Sequence, residues 1–175
     1  RPTVRGGGVH AACEVRTIVD EVIGVLSREA ERRGISLEAR LPQQELIVSA
    51  ASDAVSDVVS NLVVNALEAV SRGGHIAVSA NVADGMCVVT VEDDGAGIAS
   101  AVRDKILQPF FTTKTQGTGL GLAIVARRVS EFRGQLDWKS PAHDGRGSEF
   151  RVLIPLEAKA EAVEPGAIAA EKREV

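Results

Sequence analysis

The chain has 175 residues with 20 basic and 24 acidic side chains, a formal net charge of −4, and is 45% hydrophobic and 25% charged. That is a globular composition, and the length suits one domain with short extensions, leaving little room for a second core. It holds no basic stripe interleaved with aromatics, which disfavours a nucleic-acid platform, and no apolar run of the ~20 residues a membrane span needs. The start, RPTVRGGGVH, has no apolar stretch behind its arginines and does not read as a secretory signal, and without an initiating Met the expectation is a fragment of a longer protein. Cys13 and Cys87 have no CxxC spacing and read as ordinary reduced thiols.

Residues 1–13, with Gly6-Gly7-Gly8, read as a flexible lead-in. From Val15 to Arg33, Ile18, Val19, Val22, Ile23, Val25, Leu26 and Ala30 recur at helical spacing, and Gly34 after Arg32 and Arg33 is a helix stop. Residues 35–41 alternate as a strand, and 46–48 form a shorter one after Pro42. A second helix runs from Ser52 or Asp53, either a suitable N-cap, to Val70. Residues 75–82 and 86–92 alternate about Asp84-Gly85, the signature of a hairpin.

A short helix at 101–107 precedes Pro109, and a third long helix spans about 118–133, stopped by Gly134. Residues 135–139 and 149–156 are closing strands joined by SPAHDGRG, and the Ala/Glu-rich residues 157–175 read as a tail or linker. Strands in antiparallel pairs with helices between them imply an α+β fold. The form expected is a two-layer α/β sandwich, with a mixed, mostly antiparallel sheet of about five strands and three main helices on one face. All five aromatics lie between Phe110 and Phe150, so the first half builds its core from aliphatic residues.

Four segments carry possible chemistry. In NLVVNALEA, Asn61, Asn65 and Glu68 share one helix face; a polar rim and an oxygen ligand for Mg²⁺ are both open readings. VEDDGAGI runs a strand into Asp93-Asp94-Gly95-Ala96-Gly97, an acidic turn that fails the dinucleotide-binding fingerprint. QPFFTTK places Phe110 and Phe111 before Thr112, Thr113 and Lys114, a plug and a solvated loop. In GTGLGLAI, Gly117, Gly119 and Gly121 alternate into a helix start without the Lys-Ser/Thr of a Walker A loop. Exposed N–H groups there suit phosphate; close packing through small residues is the plainer reading.

In this order, the four segments together resemble the ATP-binding catalytic domain of sensor histidine kinases, of the Bergerat-fold superfamily that includes gyrase and heat-shock protein 90. The resemblance covers residues 14–156, including GRGSEFRVLIPL, and the short spacer from Lys114 to Gly117 is similar to the nitrogen-regulation type. It implies ATP and Mg²⁺ as cofactors, with Asn65 the Mg²⁺ ligand, Asn61 facing phosphates or metal-bound water, and Asp93 accepting from the adenine amino group. It further implies Gly95, Gly97 and Ile98 around the base and ribose, and Lys114 as a point charge on the phosphates. Gly117, Thr118, Gly119, Leu120, Gly121 and Leu122 would form the hinge and phosphate cradle, and Phe110 and Phe111 would anchor the lid. Glu68 departs from relatives that carry Lys there; two roles are open for it, shifting phosphate contact onto Lys114 or orienting a metal-bound water.

The activity so implied is transfer of the γ-phosphoryl group to a histidine on a separate helical hairpin of the same parent, with a response regulator as the indirect partner. No nucleic acid and no direct membrane contact are implied, and the setting would be cytoplasmic even if the parent is membrane-anchored. His10, His75 and His143 lack a helical hairpin around them, so the acceptor is expected off this chain. Two alternatives stand beside this: a serine kinase of the anti-sigma-factor type, and a non-catalytic nucleotide-gated interaction module.

Overall fold

The structure is a computed structural model and describes residues 11–114 and 118–158. Two strand residues, β1 (Cys13–Glu14), lead into helix α1 (Val15–Arg33). Glu14 is its N-cap, its carboxylate accepting from the Thr17 N–H at 2.7 Å and the Leu46 N–H at 3.2 Å. The helix ends as expected at Gly34, whose φ of +67° is the left-handed cap geometry. Strands β2 (Ser36–Arg40) and β3 (Ile47–Val48) follow, then α2 (Ser52–Ala69), and the hairpin of β4 (His75–Ala83) and β5 (Met86–Asp93). Asp84 and Gly85 both have positive φ, the two-residue turn that matches strand twist. A 3₁₀ turn (Ser100–Lys105), α3 (Gly121–Glu131), β6 (Gln135–Lys139) and β7 (Ser148–Pro155) complete the fold.

The expected five-stranded mixed sheet is present, in the order β2-β4-β5-β7-β6. Its inner face packs on α2, with α1 packed on α2 and β2, and α3 on α2 and β6. The core is aliphatic on the α1–α2 side: Val15, Val19, Val55, Val58, Val59, Leu62 and Val63 are at most 1% exposed. Aromatics enter on the far side, where Trp138 of β6 and Phe150 of β7 face each other in register and stack at 6.4 Å. Among the described residues, no helix is long and apolar enough to cross a membrane.

The strand pairing differs from a plain series of antiparallel pairs. β2 lies parallel to β4, because the intervening α2 returns the chain before the next strand starts. β3 leaves the main sheet and pairs antiparallel with β1, tying Cys13 to Val48. Helix limits also shift. Ala51, not Ser52 or Asp53, caps α2, and no side chain caps it. The third helix starts at Gly121 rather than 118 and ends at Glu131, since Gly119 and Arg133 both have positive φ. The expected helix at 101–107 is the tighter 3₁₀ form at 100–105.

Candidate functional site

The amphipathic α2 turns one face to the core and leaves Asn61, Asn65 and Glu68 on the other, where they line a cleft of about 540 Å³. The opposite wall is α3's start, with Gly119, Leu120, Gly121 and Leu122; Thr112, Thr113, Lys114 and Thr118 stand at the mouth. Asp93, Gly97 and Ile98 close the far end. The expected site residues thus converge in one cavity, with two exceptions. Gly95 does not line it, and Gly117 lies outside the described residues, as do the Lys114–Gly117 spacer and His10.

Asp93 ends β5 and is 5% exposed. Its Oδ1 accepts from the Gly95 N–H at 2.8 Å. Burial holds the carboxyl above the ordinary Asp range, although the Gly95 and Ser148 N–H groups and the Lys114 charge pull the other way. Gly95 has a packing reason for having no side chain: an added Cβ would lie 2.5 Å from the Ala69 carbonyl oxygen at the end of α2. Gly97 adopts φ +75°, and its Cβ would meet Ser140 Oγ at 2.8 Å.

A lattice of short bonds fixes this turn from behind. The Ile98 N–H donates to Ser140 Oγ at 2.7 Å, and that hydroxyl donates to the Gly147 carbonyl at 2.9 Å. The Gly147 N–H donates to Gly95 O at 3.0 Å, and the Arg146 guanidinium donates twice to Asp94 O. Ser140, Arg146, Gly147 and the cleft-lining Ser148 have no site role assigned from the sequence, although the last three lie in GRGSEFRVLIPL, which carries part of the resemblance. The turn-rich SPAHDGRG reads as a plain strand connection until the fold lays it against Asp93.

The other end of the cleft is made of side chains. Lys114 Nζ donates to Asn65 Oδ1 at 3.2 Å and pairs with the Glu68 carboxylate. Asn61 Nδ2 donates to the Asp57 carbonyl at 2.7 Å, and its Oδ1 would contact a Cβ on Gly121 at 3.4 Å. Arg128 of α3 reaches the Asp57 carboxylate of α2 at 2.7 Å, locking the two helices beside the asparagines. Leu120 precedes α3 without a capping side chain, so the positive N-terminus of an 11-residue helix lines the cleft. Phe111 packs on the core, whereas Phe110 is 76% exposed, which corrects the expectation that both anchor the lid. Phe110 has φ +66°, and its backbone rather than its ring is engaged: its N–H donates to Gly119 O at 3.0 Å. Gly119, at φ +70°, could not carry a Cβ, which would fall 2.3 Å from the Phe110 carbonyl carbon.

The donor set suits an anion with a hard cation. Asn65 offers an amide oxygen already facing an ammonium, and Glu68 adds carboxylate oxygens, ligands of the type Mg²⁺ selects. With Glu68 and the buried Asp93 set against Lys114, the cleft's side chains carry no net positive charge, and a cation would offset the charge of a polyphosphate bound there.

Residues 50–158 match the family described as histidine kinase-, DNA gyrase B- and HSP90-like ATPase. Sensor histidine kinase ZraS of Escherichia coli (strain K12) is 33% identical over 145 residues, which cover 83% of this chain and 31% of that protein. Sporulation kinase D of Bacillus subtilis (strain 168) is 30% identical over 145 residues, 82% of this chain and 28% of that protein. The chain therefore spans about a third of the length of these relatives. Among solved structures, the catalytic domain of histidine kinase ThkA aligns with a TM-score of 0.75 at 29% identity, covering 83% of this chain and 94% of that one. The mycobacterial sensor histidine kinase MprB aligns with a TM-score of 0.73 at 27% identity, covering 85% and 99%.

Proposed function

The chain belongs to the family of histidine kinase-, DNA gyrase B- and HSP90-like ATPases, and from that premise we propose that it binds Mg·ATP. In this reading it supplies the γ-phosphoryl group to a histidine on a separate helical hairpin of its parent, in cytoplasmic two-component signalling with a response regulator downstream. The observation that carries the reading is the convergence, in one cleft, of a buried carboxylate, two asparagines, a lysine and an uncapped helix N-terminus.

Each residue then has a physical task. Asp93 accepts from the adenine amino group; guanine presents a carbonyl oxygen there, and the mismatch of buried polar groups costs about 1–3 kcal/mol. Gly97 and Ile98 carry the backbone past base and ribose, and Gly95 keeps that turn seated on α2. Thr118, Gly119, Leu120, Gly121 and Leu122 set the uncapped helix end against the phosphates. Asn65 is the oxygen donor that would hold Mg²⁺, which when bound neutralises phosphate charge. Asn61 orients the phosphates or metal-bound water, and Lys114 leaves Glu68 to meet the γ-phosphate. Transfer of this kind rests on positioning and charge stabilisation.

His75 opens β4 and His143 sits in the turn between β6 and β7, so neither offers a helical acceptor. Incubating the chain with γ-labelled ATP, alone and with the parent's hairpin supplied in trans, tests the proposal. Acid-labile, base-resistant label on the hairpin alone is expected. Tight ATP binding with no transfer to any hairpin overturns the kinase reading, and equal affinity for ATP and GTP overturns the assignment of Asp93.

A further inference from the structure

The sheet's outer face, turned away from the helices, carries a cluster that the nucleotide cleft does not use. Glu92 of β5 and Glu149 of β7 are register partners on adjacent antiparallel strands, so two carboxylates stand directly opposite one another. Like charges in that relation destabilise a sheet. The turn between β6 and β7 brings His143 over the pair, with His143 Nε2 3.6 Å from Glu92 Oε2. Ligand atoms from all three lie within 4.8 Å of one another.

The histidine is not carried on a loose arm. Its N–H donates to Arg146 O at 3.1 Å, and the Arg146 N–H donates back to His143 O at 2.8 Å. Lys139 is the register partner of Glu149 on β6 and supplies one positive charge to the row, against two negative ones. Arg146 is directed to Asp94 O, and Arg151 lies two residues beyond Glu149 on the same face of β7, exposed to solvent.

We propose that Glu92, His143 and Glu149 form a cation site on the outer face, taking a borderline divalent transition ion of the Zn²⁺ class. One imidazole nitrogen and two carboxylates are Zn²⁺ ligands, and three protein ligands with the remaining position open to water is a familiar arrangement. Ligand atoms about 2.1 Å from a tetrahedral Zn²⁺ stand about 3.4 Å apart, so the His143–Glu92 pair is already near its bound spacing. Small side-chain rotations bring Glu149 in. The imidazole sets the ion class: Mg²⁺ and Ca²⁺ prefer all-oxygen shells and gain little from His143. A bound ion would also cancel the cross-strand repulsion and staple the 140–147 turn to β5 and β7. That turn is the one holding Gly95 and Ile98 from behind, so the outer-face ion braces the Asp93 end of the cleft.

Calorimetric titration of Zn²⁺ into the nucleotide-free chain, with thermal melts beside it, tests this. One saturable equivalent and a raised Tm are expected with Zn²⁺, and neither with Mg²⁺ at the same concentration. His143→Ala removes an exposed side chain, so its metal-free Tm should match the parent while Zn²⁺ affinity falls by about tenfold or more. The double variant Glu92→Gln, Glu149→Gln gives the opposite sign in the two readouts. Its metal-free Tm is no lower than the parent's, because the repulsion is gone, and its Zn²⁺-induced rise disappears. Cys13→Ser should leave Zn²⁺ binding intact; the Cys87 thiol is buried and pushed up to about 11, which disfavours the ligating thiolate. Zn²⁺ binding that survives both the His143 and the double-Glu variants undiminished, or that Cys13→Ser abolishes, overturns the proposal. So does the absence of any saturable binding.

Discussion

The two ends of the cleft are built in contrasting ways. At the Asp93 end nearly every polar group is tied to backbone: Asp93 to Gly95, Ile98 to Ser140, Ser140 to Gly147, Gly147 to Gly95. At the Lys114 end the contacts run between side chains on different elements, Lys114 to Asn65 and Glu68, and both members of the ion pair are at least a third exposed. Backbone lattices pre-set a shape before a ligand arrives, which favours discrimination. Exposed side-chain pairs exchange partners at small cost, which suits a group that must follow a moving charge. One end of the site should therefore govern fold and specificity, and the other should govern activity.

The largest effect should come from the exchangeable end. Asn65→Ala is expected to lower γ-phosphoryl transfer to the supplied hairpin by about 10²-fold or more, as for loss of a group that stabilises developing charge. Its Tm should stay close to the parent's, because Asn65 sits on the cleft side of α2. A large loss of Tm would break the proposed division.

Gly95→Ala probes the lattice. The added methyl meets the Ala69 carbonyl, a backbone atom unable to swing away. The expected cost is about 1–3 kcal/mol of stability in denaturant unfolding. Unchanged stability would mean that the turn is not seated on α2 as described.

Asp93→Asn should collapse the preference for ATP over GTP, which in the parent is expected to be roughly tenfold or more. Competition binding with the two nucleotides reads it. The same variant has a pH signature. Burial raises the Asp93 pKa in the fold, so the folded state holds this proton more tightly than the unfolded chain does. The group's favourable contribution is complete below the ordinary Asp pKa and is lost as pH rises through the raised folded value. Acidification through that window should therefore stabilise the parent relative to Asp93→Asn. A difference between them that stays constant with pH contradicts the burial argument.

The smallest effect belongs to Glu68→Gln. Freeing Lys114 from a partly exposed ion pair should tighten ATP binding by no more than about fivefold, since such pairs contribute about 0–1 kcal/mol. Weaker ATP binding would instead make Glu68 a net contributor to cation binding.

Much of this was legible in the chain itself. The periodic apolar residues of α1 and α2 and the Asp84-Gly85 turn announced their elements, because burial on one face and positive φ leave local marks. Asn61, Asn65 and Glu68 could be placed together because the helical repeat alone puts them on one face. Gly119 was marked as special, but its reason, the Phe110 backbone lying against it, is not local. Likewise the limits of α3 were missed where single residues with positive φ, Gly119 and Arg133, override a helical pattern that runs through them.

Short segments of the chain already mark the side chains and N–H groups with hydrogen-bonding capacity for a phosphate-bearing ligand, and the elements that carry them, since hydrogen-bonding capacity and repeat are local properties. Tertiary structure decided how these were joined: the parallel β2–β4 pair, the departure of β3 to meet β1, and the apposition of SPAHDGRG to the Asp93 turn. Strand direction depends on where a crossover helix returns the chain, and burial of Asp93 on what is laid over it. The unevenness of the composition also acquires a cause there, as the aliphatic half packs helix on helix while Trp138 and Phe150 stack at the β6–β7 edge and Phe111 lines the cleft.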